Sequence, residues 1–435
     1  MKLGEILSAL KTRMGISELN EMQRKMIDAR QSNIILLAPT GSGKTVAFTT
    51  AMLMSLNRQQ TAPAAVILAP SRELALQTFR VVRELATGMK VCVLYGGHPM
   101  ADEKNSLQPA PDIIVATPGR LIDHINQKNI DIYTTSILVL DEYDKALDLG
   151  FADQIKKIVR QMPNLRRTFL ISATRLLELP DFMAKHEGIE IDCLNEQKPE
   201  LQIVEVDSPQ SDKLQTLADL LMSLDNQRVL IFTNHRDSAE RVFNFLKSHK
   251  LPVGLYHGGL EQNEREKAVD LLNNGTTPIL ISTDLGSRGL DIDNIGSVIH
   301  YHMPINQETW THRNGRTARQ DATGTVYVIL SDSDNQPDYI RFDRKYSPTG
   351  KSENPISSDV ATLYFNAGKK EKISRGDIAG FLIKQGGVSP AEIGQIIVRD
   401  HSAIVAVPKN MVGELIAKLS AEKIKGKRVR ISRYN

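Results

Sequence analysis

Between residues 34 and about 330 the chain alternates short β-branched or apolar runs with stretches of helical periodicity, and this alternation restricts the fold more than any other feature. Short runs that are apolar on both faces suit strands covered by helices on either side, so the pattern predicts parallel-sheet α/β architecture. It occurs twice. The first series is Ile34–Ala38, Val66–Ala69, Val91–Tyr95, Ile113–Ala116, Ile137–Leu140 and Thr168–Ser172. The second is Val229–Phe232, Val253–Tyr256, Ile279–Ser282, Ser297–Tyr301 and Thr325–Leu330. Residues 195–212 hold two prolines and many polar side chains, which places an interdomain connection at about 195–200. After a second polar segment, 333–358, the runs Thr362–Asn366, Ile393–Arg399, Ser402–Val407 and Arg428–Ser432 interleave with helical Gly376–Lys384 and Met411–Leu419. Their order, βαββαβ, is a split βαβ unit. The expected division is 1–197, 198–345, a linker 346–360, and 361–435.

Composition narrows the function classes. The chain has 435 residues, 41% hydrophobic and 24% charged, enough apolar material for several cores. Its two cysteines, Cys92 and Cys193, stand far apart with no Cys/His cluster, so neither a disulfide framework nor a zinc site is indicated and a reducing cytoplasm is expected. No uncharged apolar run reaches the roughly 18–20 residues of a membrane span, so no membrane partner is expected. Residues 361–435 contain 14 Lys/Arg and 6 Asp/Glu, a balance of +8 against +3 for the whole chain, which leaves −5 for the rest. That asymmetry predicts a basic tail module that meets a polyanion.

The first strand runs into Ala38-Pro-Thr-Gly-Ser-Gly-Lys-Thr45 and then an apolar helix. Thr40, Gly41, Ser42 and Gly43 can cradle phosphate with backbone N–H groups, Lys44 neutralises phosphate oxygens, and Thr45 offers a hydroxyl to Mg²⁺. Ninety-seven residues after Lys44, the strand Ile137–Leu140 delivers Asp141-Glu142-Tyr143-Asp144 at its carboxyl end, where open α/β sheets place ligands. Asp141 suits a hydrated Mg²⁺, and Glu142 suits the attacking water. Arg313, Arg316 and Arg319 in the second series can supply arginine fingers to a transferred phosphoryl group, which makes Lys44, Asp141, Glu142, Arg316 and Arg319 the expected catalytic set.

Across about residues 15–330 the chain resembles the DEAD-box RNA helicases. The resemblance implies two tandem RecA-like P-loop domains with parallel sheets, followed by a small α+β domain, and it implies ATP and Mg²⁺ as cofactors. Gly15 to Gln23 looks like the family's Q motif, in which Gln23 would read adenine. Pro70-Ser-Arg72, Gly96-Gly97 and Thr117-Pro-Gly-Arg120 match first-domain RNA contacts, and Ser172-Ala-Thr174 matches the motif that couples hydrolysis to strand separation, a coupling group to which Asp144 also belongs. In the second domain Asn234, Gln262, Arg265 and Thr283 match RNA contacts. Asp291 matches a nucleotide contact, and His312 and Arg313 fall in the coupling motif. Tyr143 stands at the family's usual alanine and is expected to alter coupling to Ser172 and Thr174. Ile16 and Leu19 replace the usual aromatic and proline of the Q motif, which points to weaker adenine selectivity.

The tail resembles the RNA-binding domain of DbpA-type helicases, an RRM-like fold that in that family recognises a hairpin of large-subunit ribosomal RNA. The resemblance implies pre-ribosomal particles as partners and Lys369, Lys370, Arg375, Lys425, Lys427 and Arg428 as RNA contacts. Tyr364 has two readings, a base-stacking platform or a core residue. The expected activity is ATP-driven opening of short RNA duplexes. An ATP-gated RNA clamp without unwinding and a DNA helicase stay open on the sequence.

Overall fold

The computed structural model describes all residues except 40, 59–61, 98, 176–180, 182–187, 195–200, 288–291, 293–294, 318–323 and 435. The chain divides into two compact units, one built mainly from residues 1–199 and the other from most of 200–435.

In the first unit the strands are β1 (Asn33–Leu37), β2 (Ala65–Leu68), β3 (Val91–Leu94), β4 (Ile113–Ala116), β5 (Ile137–Leu140), β6 (Arg167–Ser172) and β7 (Gly188–Asp192). They pair in parallel in the order β3-β4-β2-β5-β6-β1-β7. Every residue of β1, β2, β4 and β5 is buried. Alternate side chains feed two separate cores: Ile34 and Leu36 join one, Ile35 and Leu37 the other. Helices on both faces therefore explain why these strands are apolar throughout.

The second unit repeats the plan. Strands β8 (Leu201–Asp207), β9 (Val229–Phe232), β10 (Val253–Tyr256), β11 (Ile279–Ser282), β12 (Ser297–His300), β13 (Gly324–Leu330) and β14 (Arg344–Lys345) follow the order β10-β11-β9-β12-β13-β8-β14. Counted from its own first strand, this is the order of the first sheet. Strand β8 is absent from the expected runs and begins just after the connection placed at about 195–200, within the polar segment 195–212. Its Val204 and Val206 are fully buried while their neighbours are partly or wholly exposed, the period-2 signature of a half-covered strand.

The tail follows as β15 (Val360–Phe365), β16 (Ile396–Val398), β17 (Ala403–Pro408), a short hairpin of β18 (Lys423–Ile424) and β19 (Lys427–Arg428), and β20 (Ile431–Arg433). Its sheet is antiparallel, in the order β16-β17-β15-β20, with helices Arg375–Phe381 and Val412–Leu419 over one face. Among the described residues, no helix is long and apolar enough to cross a membrane.

The tail belongs to the second unit. Segment 346–360, expected as a linker, lies along that body: Ile356 enters its core, Ser352 Oγ donates to Asp225 at 2.7 Å, and Ser358 Oγ donates to the Gly275 carbonyl at 2.8 Å. The outer face of the tail sheet meets helix Gln262–Asn273 and the turn after it. Arg399 pairs with Asp270 at 2.6 Å, and Asn274 Nδ2 donates to Thr362 Oγ1 at 2.7 Å. Tyr364 is neither a core residue nor an open platform. Half-buried on that outer face, it stacks on Tyr434 with ring centroids 5.6 Å apart, and the Lys267 ammonium lies 5.3 Å from the centre of the Tyr434 ring.

Asp270→Ala should leave both large sheets folded but loosen the tail, since Arg399 loses its buried partner. The expected readout is faster proteolytic cleavage within 346–360 and faster amide exchange in Ala403–Pro408; unchanged exchange there would contradict the docking described.

Candidate nucleotide site and nucleic-acid interface

The phosphate loop joins β1 to helix Lys44–Ser55, so the backbone N–H groups of that helix's first turn point into the loop. Gly43 sits at φ +89°, and a Cβ there would come within 2.6 Å of Gln23 Nε2, so both backbone and space require glycine. Thr45 is half-buried in the first turn; Thr40 lies outside the described residues. Lys44 is folded back, its Nζ donating to the carbonyls of Ala38 at 2.7 Å and Pro39 at 3.0 Å. Burial pulls its pKa down to about 8. An ammonium held by two carbonyls in a dry loop is ready to exchange them for phosphate oxygens.

Gln23 is drawn inward. Its Oε1 accepts from the Asn20 amide at 3.0 Å in a capping box, its Nε2 donates to the Gly43 carbonyl at 3.4 Å, and Asn20 Nδ2 donates to the Ser42 carbonyl at 3.0 Å. The structure thus shows Gln23 bracing the phosphate loop, and reading a base edge would require it to leave these partners.

Asp141 and Glu142 emerge from β5 beside this loop, both buried. Asp141 accepts from Thr78 Oγ1 at 2.9 Å, and burial followed by repulsion from Glu142 raises its pKa to about 7. The carboxylate and the Thr45 hydroxyl are hard oxygen donors of the type a small divalent cation takes, and a cation would offset the charge that burial penalises. Glu142 has φ +48° and receives an ion pair from the buried Lys145, Nζ to Oε2 at 2.6 Å. Asp144 Oδ2 accepts from Thr174 Oγ1 at 2.9 Å and from the Ala173 amide at 3.2 Å, while Ser172 Oγ donates to the Thr174 carbonyl at 2.6 Å. Tyr143 does not disturb this link: it points away, into the core under β5. Sequence reasoning missed Thr78, Asn20 and Lys145. Only Lys145 carried a local signal, at i+3 from Glu142.

The first unit's nucleic-acid candidates meet at the carboxyl ends of β2, β3 and β4. The Arg72 guanidinium lies against Gly97, where a Cβ would be 2.2 Å from Nη1, and Gly97 has φ +101°. Thr117 donates its amide to the Leu94 carbonyl at 2.9 Å and precedes helix Pro118–Asn126. Arg120 is mostly buried and donates Nε to Glu103 Oε2 at 2.5 Å, so it does not project toward solvent as an RNA contact would.

In the second unit Arg313 is fully buried and organises three loops at once. It donates to Asp284 Oδ1 at 2.6 Å, Asn234 Oδ1 at 2.7 Å and the His302 carbonyl at 2.9 Å, and it lies 5.2 Å from the centre of the Phe232 ring. Burial first, then Arg313, lowers the pKa of His300 to about 3, which keeps that imidazole neutral. Asn234 also donates Nδ2 to the Met303 carbonyl at 2.9 Å, so its amide is engaged inside the body and braces the loop instead of facing RNA. Gln262 and Arg265 bond each other at 2.6 Å on the first turn of helix Gln262–Asn273. Thr283 follows β11 and is half-buried; His312 and Arg316 are buried. Asp291 and Arg319 lie outside the described residues.

The tail gathers its basic stretches from distant sequence. Lys425 Nζ bonds the Lys372 carbonyl at 3.1 Å and pairs with Asp377 at 2.8 Å, while Lys427 Nζ reaches the Glu371 carbonyl at 2.9 Å. Lys369, Lys370, Lys372, Arg375 and Arg428 are exposed around them, a patch shaped for phosphates.

Lys44 carries charge below about 8 and Asp141 is ionised above about 7. Affinity for a nucleoside triphosphate with its divalent cation should therefore peak between these values and fall by roughly tenfold per pH unit beyond them on either side. Calorimetric titration from pH 5.5 to 9.5 checks this, and a flat profile would contradict it.

Known proteins are similar to this chain in sequence and in fold. The DEAD/DEAH box helicase family matches residues 20–178, the helicase conserved C-terminal domain matches 212–321, and the DbpA RNA binding domain matches 362–433. The ATP-dependent RNA helicase DbpA of Bacillus subtilis is 28% identical over 99% of this chain and 98% of its own length. In structure, Saccharomyces cerevisiae Dbp5 bound to RNA and ADP BeF3 is similar with a TM-score of 0.67 and 29% identity, covering 76% of this chain and 89% of Dbp5. The Escherichia coli ATP-dependent RNA helicase DbpA is 33% identical over 91% of this chain and 89% of its own length, and on that measure the present chain belongs to the DEAD-box ATP-dependent RNA helicases of DbpA type.

Proposed function

We propose that this chain uses MgATP to open short RNA duplexes next to a structured RNA held by its tail, and that it acts in the cytoplasm on pre-ribosomal particles during large-subunit assembly. The captured RNA in this reading is a hairpin of large-subunit ribosomal RNA. The observation that carries the reading is the bond between Asp144 and Thr174, 2.9 Å long, which ties the acidic box of the ATP site to the Ser172-Ala-Thr174 segment. A change in charge at Glu142 or Asp141 is thus two or three residues from a contact that positions a second loop.

Lys44 would bind the phosphates, and Thr45 with Asp141 would hold Mg²⁺, whose contribution when bound is to neutralise charge on the phosphate oxygens. Glu142, paired with Lys145, would orient and deprotonate the attacking water. Arg316, with Arg319, would complete the charge stabilisation from the second body. Arg72, the Gly97 backbone and Thr117 in the first body, and Gln262, Arg265 and Thr283 in the second, would grip the RNA backbone. The basic patch of the tail would choose which RNA is gripped. The presence of that patch on the same chain as the ATP site favours RNA remodelling at a selected site over an unselective clamp.

Lys44→Ala should weaken ATP binding by about 100-fold or more, whereas Glu142→Gln should bind ATP nearly as well as the parent and lower kcat by roughly 10²–10⁴-fold. Equal loss of ATP affinity in both variants would overturn the assignment.

Reversing charge at Lys370, Lys427 and Arg428 together should leave basal ATP hydrolysis intact and reduce the salt dependence of RNA binding by about 2 in the log–log slope, since each phosphate contact contributes about 0.7. Binding of ribosomal RNA fragments across a salt series is the measurement. An unchanged slope and unchanged RNA preference would place selection elsewhere.

A further inference from the structure

Glu103 has no role in any of the motifs above, yet it is one of the most completely engaged charged side chains of the first unit. Its carboxylate is almost fully buried and both oxygens are used. Oε1 accepts from the Tyr95 amide at 2.9 Å, at the end of β3 just before Gly96-Gly97. Oε2 accepts from Arg120 Nε at 2.5 Å and faces His124 Nε2 at 2.8 Å, both on helix Pro118–Asn126, whose N-cap is Thr117. His124 is itself fully buried, with Nδ1 3.2 Å from Asn129 Nδ2. One buried carboxylate therefore joins the two segments that carry Gly97 and Thr117, and Gly97 in turn seats the Arg72 guanidinium.

We propose that Glu103 is a positioning residue for RNA: it locks the Gly96-Gly97 loop to the Thr117–Arg120 turn, so that Arg72, Gly97 and Thr117 present one preset surface to the RNA backbone. Arg120 acts through this lock and not as a phosphate contact. The inference rests on the reading of the first body as an RNA-binding surface. Its physical basis is the cost of a buried charge: a carboxylate this dry is stable only while its full set of donors is in place, so the two segments cannot shift independently. A guanidinium already bonded through Nε to a buried carboxylate also has less charge to offer a phosphate. Presetting of the loops then appears as RNA affinity, because the ordering cost is met in the folded protein before RNA arrives.

The test uses the full chain with Glu103→Gln, Arg120→Gln and the double variant, and reads RNA binding across a salt series with ATPase parameters in parallel. Each single variant should weaken RNA binding by roughly tenfold to a hundredfold, the range for loss of a buried charge-assisted hydrogen bond. KM for ATP and kcat at saturating RNA should change less than about twofold. The double variant should bind no worse than the weaker single one, as expected for two residues that act through one contact. The salt slope should stay at the parent value in all three. A slope lower by about 0.7 in Arg120→Gln would make Arg120 a direct phosphate contact and overturn the proposal. Additive losses, or RNA affinity within twofold of the parent in Glu103→Gln, would overturn it too. If Glu103→Gln does not fold, Glu103→Asp keeps the charge but shortens the reach: weakened RNA binding in a folded protein supports the lock, and parental binding refutes it. Absence of any RNA stimulation in the unmodified chain would instead refute the underlying RNA reading.

Discussion

Five ionisable side chains at the carboxyl edge of the first sheet, Lys44, Asp141, Glu142, Asp144 and Lys145, are all withdrawn from water, and the rest of the site is arranged to make that tolerable. Charges in such surroundings persist only when paired or hydrogen-bonded. Each of the five has a partner: Lys44 two loop carbonyls, Asp141 the Thr78 hydroxyl, Glu142 the Lys145 ammonium, and Asp144 the Thr174 hydroxyl with a backbone amide. The cluster is consequently a single electrostatic object. A phosphate at Lys44 or a cation at Asp141 would alter the balance that holds all five, and Asp144 is itself bonded to Thr174. This also explains how Tyr143 is accommodated in the acidic box. It occupies the one position whose side chain points into hydrocarbon, where a larger apolar group adds packing and leaves the polar contacts alone.

The second body solves a similar problem with one residue. Arg313 is buried among Asp284, Asn234, the His302 carbonyl and the Phe232 ring, so the loops after β9, β11 and β12 share a single guanidinium. Its rigid fork of donors can meet several acceptors in fixed directions, which an ammonium cannot do. Of the arginines grouped by spacing as candidate fingers, this one is structural, and the loops that would face RNA depend on it. The neutrality of His300 belongs to the same arrangement: burial first, and then the Arg313 charge beside it, disfavours a second positive charge there, while Nε2 keeps its bond to Asn314 Oδ1 at 2.8 Å.

Much of this was legible in the sequence, and the rest was lost for identifiable reasons. Strands such as β1, β2, β4 and β5 are apolar on both faces because helices cover both, and such runs stand out. Strand β8 alternates between buried and exposed positions among polar residues, so it did not stand out as an apolar run. The phosphate loop and acidic box are contiguous motifs and were readable as such. Their partners Thr78 and Asn20 are brought to them only by folding, as Glu103 is to the Gly96-Gly97 and Thr117–Arg120 segments, and nothing in a linear sequence marks one buried threonine or glutamate above another. Gln23 and Asn234 were recognisable as motif residues, but the direction of an amide side chain follows from its neighbours' donors and acceptors, which only the fold supplies.

The tail shows how the two kinds of information combine. Its charge excess could be counted from the sequence, but where the charge sits is a consequence of which face is covered. Arg399, Thr362 and the stacked pair Tyr364 and Tyr434 occupy the outer sheet face against helix Gln262–Asn273, so that face is committed within the second unit. Lys425 and Gly426, at positive φ, turn the β18–β19 hairpin, and the hairpin lysines hold the carbonyls of the 371–372 turn. The basic side chains are thereby collected away from the covered face and left in solvent. A surface made of ammonium and guanidinium groups on loops, without an aromatic sheet face, recognises a nucleic acid by the spacing of its phosphates, and a folded RNA differs from a single strand in that spacing. The same helix that anchors the tail carries Gln262 and Arg265 in its first turns, so the patch stands at a fixed distance from these residues within the second unit.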